Sequence, residues 1–214
     1  MRRFYARFAL MLLALLAVSL LSLTARAAYP EPSPYPITWE FTFTHGKPQR
    51  IVVETEQGKK AYWYVTYAVT NNTDQERVYL PIFEMLTNNG RVLRSDRSLP
   101  FAVFEAIKRR EKNDFLEPFT QIGGEIRLGE DQARDGVAIW EEPNREMGRF
   151  SIFVTGLSGE AVTLKDGKGA EMKDAEGKPV ILRKTLQLNY FVRGDDVMPG
   201  EDEVNENPET WVMR

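Results

Sequence analysis

AYWYVTYAVT, residues 61–70, is the strongest strand pattern in the chain. Apart from its two alanines, every residue in it is aromatic or β-branched, which is the composition that β-strands favour. Asn71-Asn72-Thr73-Asp74 follows, and these residue types form turns. RVYLPIFE, residues 77–84, comes next and is the predicted hairpin partner of this first strand.

The predicted hairpin has apolar side chains on both faces. A loop over residues 71–76 pairs Val69 with Val78, Tyr67 with Leu80 and Val65 with Ile82 on the core side, since opposite residues share a face. The other side carries Tyr62, Tyr64, Tyr79 and Phe83. An antiparallel sheet normally shows one face to water. We therefore expect the helix of residues 101–112 or the N-terminal arm to cover the second face, or that face to serve as a surface for a partner or a sugar ring.

Further strand patterns lie on both sides of this hairpin, separated by turns rich in Gly, Asn and Pro. They cover residues 37–44, 51–53, 92–93, 136–140, 150–155 and 180–192. Residues 101–112 instead have helical spacing, with Val103, Phe104 and Ile107 on one side. The pattern predicts an all-β fold, an antiparallel immunoglobulin-like β-sandwich with one short helix; the alternative is a partly open β-barrel.

The first 27 residues have the pattern of a secretory signal peptide. Arg2, Arg3 and Arg7 precede an apolar run over residues 8–23, and Ala25-Arg26-Ala27 supplies small residues for cleavage. Cleavage after Ala27 predicts an exported protein, in the periplasm or the medium, without membrane insertion. The alternative is a signal peptide that is retained as an anchor.

The mature chain is predicted to have three parts. Residues 28–36 form a Pro-rich N-terminal arm, residues 37–194 the sandwich domain, and residues 195–214 an acidic tail that ends in an apolar segment. Because disordered segments are depleted in aromatic residues, we expect Trp211 to dock back onto the domain, at an open sheet edge or on the second face of the hairpin. Residues 165–178, charged and glycine-rich, predict an exposed, mobile hairpin loop.

Charge and cysteine content exclude several classes of function. Removal of residues 1–27 lowers the number of Lys and Arg from 28 to 24 against 31 Asp and Glu, so the mature net charge is −7. Such a chain is a poor candidate for binding nucleic acid, which selects basic surfaces. The chain has no Cys, which excludes thiol catalysis and thiolate metal sites.

The residues that could carry chemistry are sparse. His45 is the single histidine, and without a G-x-S-x-G elbow it is interpreted as an exposed residue at a strand end. Glu130, Asp131 and Asp135 do not have the spacing of a calcium loop, and Arg134 among them predicts an internal ion pair, with Asp135-Gly136 as a turn. We predict no catalytic, metal or cofactor site.

Several segments resemble a family of uncharacterised exported bacterial proteins with an immunoglobulin-like β-sandwich. They are Tyr62–Tyr67 running into Val69–Thr73, Gly129–Ile139, Gly156–Gly159, Lys184–Leu188 and Trp211–Arg214. The resemblance covers most of the mature chain and implies export and the fold. The family brings no assigned activity, so the resemblance implies no functional residue.

The predicted function is that of a non-enzymatic exported module that binds another protein or an envelope component. The predicted interaction surface consists of Tyr62, Tyr64, Tyr79, Phe83 and Trp211. Two alternatives stay open. A carbohydrate-binding module would show a row of exposed aromatic rings on one sheet face, and a carboxylate-dependent hydrolase would show a convergent carboxylate pocket.

Overall fold

The computed structural model describes residues 29–56, 58–95, 99–143, 147–193 and 203–214. The predicted signal peptide and its cleavage site at Ala27 lie outside these residues. The chain divides into two compact units. Glu31–Val162 and Leu182–Arg214 form the larger one, and the smaller one contains Thr163–Ile181 together with residues 29 and 30.

The described residues form thirteen strands and two α-helices. The strands are β1 (Thr42–His45), β2 (Gln49–Thr55), β3 (Gly58–Thr70), β4 (Arg77–Tyr79), β5 (Ile82–Leu86), β6 (Val92–Arg94), β7 (Gly124–Ile126), β8 (Arg134–Glu141), β9 (Arg149–Thr155), β10 (Ala161–Thr163), β11 (Ile181–Val192), β12 (Val204–Glu206) and β13 (Thr210–Met213). The helices are α1 (Phe101–Glu111) and the single turn α2 (Phe119–Ile122).

β3 is the centre of the first antiparallel sheet. It pairs with β8 along one edge, and with β2 and then β1 along the other. The second sheet has the order β10-β11-β9-β5-β6, and β12 and β13 pair with β11. β4 and β7 form a separate two-stranded sheet.

The two large sheets pack face to face around one core. β3 contributes Trp63, Val65, Tyr67 and Val69, and the second sheet contributes Phe83, Met85, Ile152, Val154, Leu188 and Tyr190. The predicted all-β fold, an antiparallel sandwich with a short helix, is confirmed. Instead of the partly open barrel, the described residues form two separate large sheets, neither of which closes on itself.

Helix α1 covers the outer face of the first sheet. Val103, Phe104 and Ile107, the predicted apolar stripe, pack against Tyr62 and Tyr64 of β3. The helix begins after Pro100, which has no N–H to leave unpaired, and it ends where Lys112 adopts a left-handed conformation. Of the explanations open for the second face of β3, coverage by the helix is therefore the one that the structure confirms.

The predicted hairpin between residues 61–70 and 77–84 is wrong. β3 pairs with β1, β2 and β8, and Pro81 divides the expected partner into β4 and β5, which join different sheets. Pro cannot donate a ladder hydrogen bond, so a continuous strand through residue 81 is disfavoured. The alternation along β3 was predicted correctly, whereas its partner was not.

The C-terminal segment is part of the second sheet rather than a solvated tail. β12 pairs with Tyr190–Val192, and β13 pairs with Lys184–Gln187. Trp211 lies opposite Leu186 and packs against the core, so docking at a sheet edge is confirmed. Residues 195–202 of the predicted tail lie outside the described residues.

Within the smaller unit, residues 165–179 are exposed, as predicted, but they do not form one hairpin loop. Asp166 and Asp174 each begin a tight turn, and the side chain of each accepts two backbone N–H groups. Backbone hydrogen bonds link Leu164, Met172 and Val180 in a closed ring. The segment therefore consists of two similar turns that are eight residues apart.

Candidate binding site

Four of the five residues of the predicted interaction surface are buried. Tyr62 and Tyr64 lie beneath α1, and Tyr79 and Phe83 lie in the sandwich core. The error follows from the wrong hairpin partner: β5 belongs to the opposite sheet, so Phe83 faces inward across the sandwich. Trp211 is half-buried at a sheet edge, and the five residues do not form one surface.

Tyr64 also makes a hydrogen bond to the helix that covers it. Its hydroxyl donates to Glu111 Oε1 at 2.5 Å, at the last residue of α1. Burial, and after it the hydrogen bond and charge of Glu111, raise the pKa of Tyr64 well above its usual range. Tyr64 therefore anchors the end of the helix to the sheet.

Lys184 is the centre of a buried ion cluster. Only 2% of the residue is exposed, and Nζ lies 2.9 Å from Glu40 Oε2 and 3.6 Å from Glu160 Oε2. The ammonium group lies 4.8 Å from the centre of the Trp211 ring, a cation–π contact. Because this cation is paired on several sides, the cluster is a structural link between the start of the domain and its last strand.

An exposed aromatic surface lies at the first turn of α1. Phe101 is 65% exposed, because it falls outside the helical stripe that packs on the sheet. Next to it is an apolar groove of about 320 Å³, lined by Leu99, Phe104, Phe119 and Ile139 among others. The groove runs between α1, α2 and β8, and all of these elements belong to the larger unit.

A second, acidic cavity lies on the other side of Phe101. Its volume is about 700 Å³, and its lining includes Glu54, Glu56, Glu141 and Lys60. Lys60 Nζ lies 3.1 Å from Glu141 Oε1, which leaves two carboxylates in excess. Phe101 therefore lies between an apolar and a negatively charged cavity, and we call this the α1 surface.

The α1 surface was missed in the sequence, although its helix was predicted. Val103, Phe104 and Ile107 account for the buried stripe of the helix. Phe101 lies in the same helix but outside this buried stripe. An aromatic residue outside the buried stripe is the signal that could have identified the surface. The acidic side could not be found in this way, because residues 54–60 and Glu141 are far from α1 in sequence.

The remaining candidate residues have different environments from those predicted. The interpretation of His45 as exposed is wrong, because only 7% of its side chain is exposed. Arg134 does form an ion pair, but its partner is Glu117 rather than a carboxylate of residues 130–135. Asp135-Gly136 is not a turn: both residues lie in β8, where Gly136 opposes Tyr67.

Comparison with known proteins adds no assignment. No protein-family model, no curated protein and no solved structure matches the chain. Among the described residues, no helix is both long enough and apolar enough to cross a membrane.

The described residues also lack the feature expected of a carbohydrate-binding face. Their most exposed aromatic side chains are Tyr29, Tyr35, Phe101 and Phe115. None of these lies in a strand, so these rings do not form a row on a sheet face.

Proposed function

We propose that this chain is an exported, non-enzymatic binding module, and that the α1 surface receives an apolar and basic segment of another protein in the cell envelope or the medium. The observation that carries the proposal is the position of Phe101, exposed between an apolar and an acidic cavity. Export rests on the N-terminal pattern of charged, apolar and small residues.

The apolar half of the surface supplies affinity. Aromatic side chains at the centre of an interface contribute most when a partner encloses them and excludes water. Phe101 has this position, and the groove beside it has room for an apolar side chain of the partner. Burial of such a side chain contributes about 1.5–3 kcal/mol.

The acidic half of the surface selects the sign of the partner's charge. Glu54 and Glu56 lie in the lining next to Phe101. Complementary charges raise the association rate and disfavour partners of like charge. A Lys or Arg near an apolar residue in the partner is therefore the expected recognition element.

Two peptides of equal length test the proposal, one alternating Leu with Lys and the other alternating Leu with Glu. We expect the mature chain to bind the Leu–Lys peptide more tightly, as measured by isothermal titration calorimetry at two salt concentrations. Phe101→Ser should weaken this binding by about tenfold or more, which corresponds to about 1.4 kcal/mol. The double variant Glu54→Gln, Glu56→Gln should reduce its dependence on salt.

Phe115→Ser is the matched control. Phe115 is 82% exposed and lines neither cavity, so its loss should leave peptide binding unchanged. Thermal unfolding of both variants checks that the fold is intact. Equal binding of the two peptides, or equal effects of the two phenylalanine substitutions, would contradict the proposal.

A further inference from the structure

His45, Glu206 and Glu209 converge where the two sheets of the sandwich meet at one edge. His45 ends β1 and lies opposite Tyr67, and Glu206 ends β12 and lies opposite Tyr190. Tyr67 and Tyr190 both belong to the core, so His45 and Glu206 lie on the faces that look inward. Glu209 immediately precedes β13. One donor atom from each of the three side chains lies within 4.8 Å of the other two.

The hydrogen bond of one ring nitrogen of His45 determines whether the other nitrogen can act as a metal ligand. Nδ1 lies 2.9 Å from the carbonyl oxygen of Gly46, which can only accept, so Nδ1 carries the proton. The Tyr190 hydroxyl lies further from Nδ1, at 3.3 Å. Nε2 is therefore the nitrogen that faces the carboxylates. A histidine that donates one N–H to a backbone carbonyl and presents its other nitrogen is the usual arrangement at a metal site.

Nε2 lies 2.9 Å from Glu209 Oε1 and 4.0 Å from Glu206 Oε1. If Nε2 carried no proton and no metal ion, its lone pair would face the lone pairs of the carboxylate oxygen at 2.9 Å, and the two would repel each other. A cation between the two atoms removes this repulsion. The cation is either a proton on Nε2 or a metal ion shared by the three donors.

The two cations leave different net charges on the cluster. With a proton, one imidazolium faces two carboxylates and the cluster keeps a net charge of −1. A divalent ion with neutral His45 brings the same cluster to zero. In the part of the chain that the structure describes, Glu206 and Glu209 form ion pairs with His45.

We propose that His45, Glu206 and Glu209 bind one divalent transition-metal ion, with Zn²⁺ the ion that best fits one imidazole nitrogen and two carboxylate oxygens. Three protein ligands leave a fourth position for water or for a donor atom of a partner. Because the ligands come from β1 and from the segment around β12 and β13, the ion would hold the C-terminal strands against the first sheet. This proposal is independent of the α1 surface.

Titration of the untagged mature chain with ZnCl₂, after treatment with a chelator, tests the proposal. We expect one Zn²⁺ bound per chain in calorimetry and a rise in the thermal midpoint, since a ligand of the folded state stabilises it. Mg²⁺, which prefers oxygen ligands, should produce neither effect. Glu209→Gln, at a half-exposed position, keeps the shape of the side chain and should weaken Zn²⁺ binding at least tenfold, and His45→Gln should abolish the thermal shift.

Glu203→Gln is the matched control, because Glu203 lies in the same acidic segment but outside the cluster. Zn²⁺ binding that is the same in Glu209→Gln as in Glu203→Gln would overturn the proposal. The absence of any Zn²⁺-dependent thermal shift in the wild-type chain would overturn it as well, and would identify the cluster as an ion pair between imidazolium and carboxylate.

Discussion

At the scale of single residues, Asn71 directs the chain away from the predicted hairpin. It is fully buried, and its amide nitrogen donates to the carbonyl oxygens of Gln75 and Ile126. Its amide oxygen accepts from the backbone N–H and the hydroxyl of Thr73. The prediction of a turn here is confirmed, but the bond to Ile126 joins the turn to β7 rather than to a returning strand.

Replacement of Asn71 by Asp keeps the shape of the side chain and removes the two hydrogen bonds that the amide nitrogen donates. The carboxylate would face two carbonyl oxygens, which leaves buried acceptors unpaired. We expect a loss of about 3 kcal/mol in the free energy of unfolding, measured with urea. Asn72→Asp, on the exposed neighbour, should change this free energy by less than about 0.5 kcal/mol. Similar losses in the two variants would contradict the role given to Asn71.

Lys184 provides a second test at this scale. Lys184→Met removes the cation and leaves Glu40 and Glu160 facing each other in a buried site. Because an unpaired buried charge is costly, we expect a loss of about 3–5 kcal/mol in the free energy of unfolding. The exposed pair of Lys178 and Glu176 supplies the control: Lys178→Met should have no measurable effect, as is usual for surface ion pairs. An equally small effect at Lys184 would show that its cluster does not stabilise the fold.

At the scale of elements, periodicity predicted the faces of the strands better than their partners. The alternation along β3 correctly separated Val65, Tyr67 and Val69 from Tyr62 and Tyr64. The partner strand was assigned by proximity in sequence, and proximity failed because Pro81 and the bonds of Asn71 send β4 and β5 elsewhere. β3 also pairs with β8, more than 60 residues away, and no local sequence pattern indicates this pairing.

The smaller unit allows a test of an element without changing the sandwich core. The backbone N–H of Leu164 donates to the carbonyl oxygen of Val180 at 2.8 Å, so an Asn-Gly turn can replace residues 165–179. The free energy of unfolding should change by less than about 1 kcal/mol, because loop closure depends weakly on length. A large fall in the thermal midpoint would show that these turns stabilise the domain.

At the scale of the whole molecule, buried tyrosines should make the fold sensitive to alkali. Burial is the largest cause of the raised pKa values of Tyr64, Tyr67, Tyr79 and Tyr190. A group whose pKa is raised by folding stabilises the fold fully below its unfolded pKa, here 10.0, and loses this contribution as the pH rises further. We therefore expect the thermal midpoint to fall steeply above about pH 10.

Tyr79→Phe should make this alkaline fall less steep, because one buried hydroxyl no longer has to ionise on unfolding. Tyr35→Phe, at an exposed position, is the control and should leave the slope unchanged. The thermal midpoint measured against pH, with tyrosine ionisation followed by absorbance, gives the comparison. Equal slopes in the wild-type chain and in Tyr79→Phe would contradict the expectation.

The proposed binding site, in contrast to the fold, consists of residues that the fold does not require. The aromatic residues of β3 are buried in the two hydrophobic clusters. Phe101, in contrast, is exposed and lies beside the apolar groove. Glu54 of β2, Glu56 just after that strand and Glu141 of β8 line the acidic cavity on the other side of Phe101. The candidate site could therefore be recognised only after the strands had been placed.

The central claim is that the α1 surface is where this chain binds another protein. Photo-cross-linking of the Leu–Lys peptide to the mature chain, followed by mass spectrometric mapping of the attachment points, tests it most directly. We expect attachment within residues 54–56, 99–104 and 119–120, and its loss in Phe101→Ser but not in Phe115→Ser. Attachment to the second sheet, or the same pattern in both variants, would contradict it.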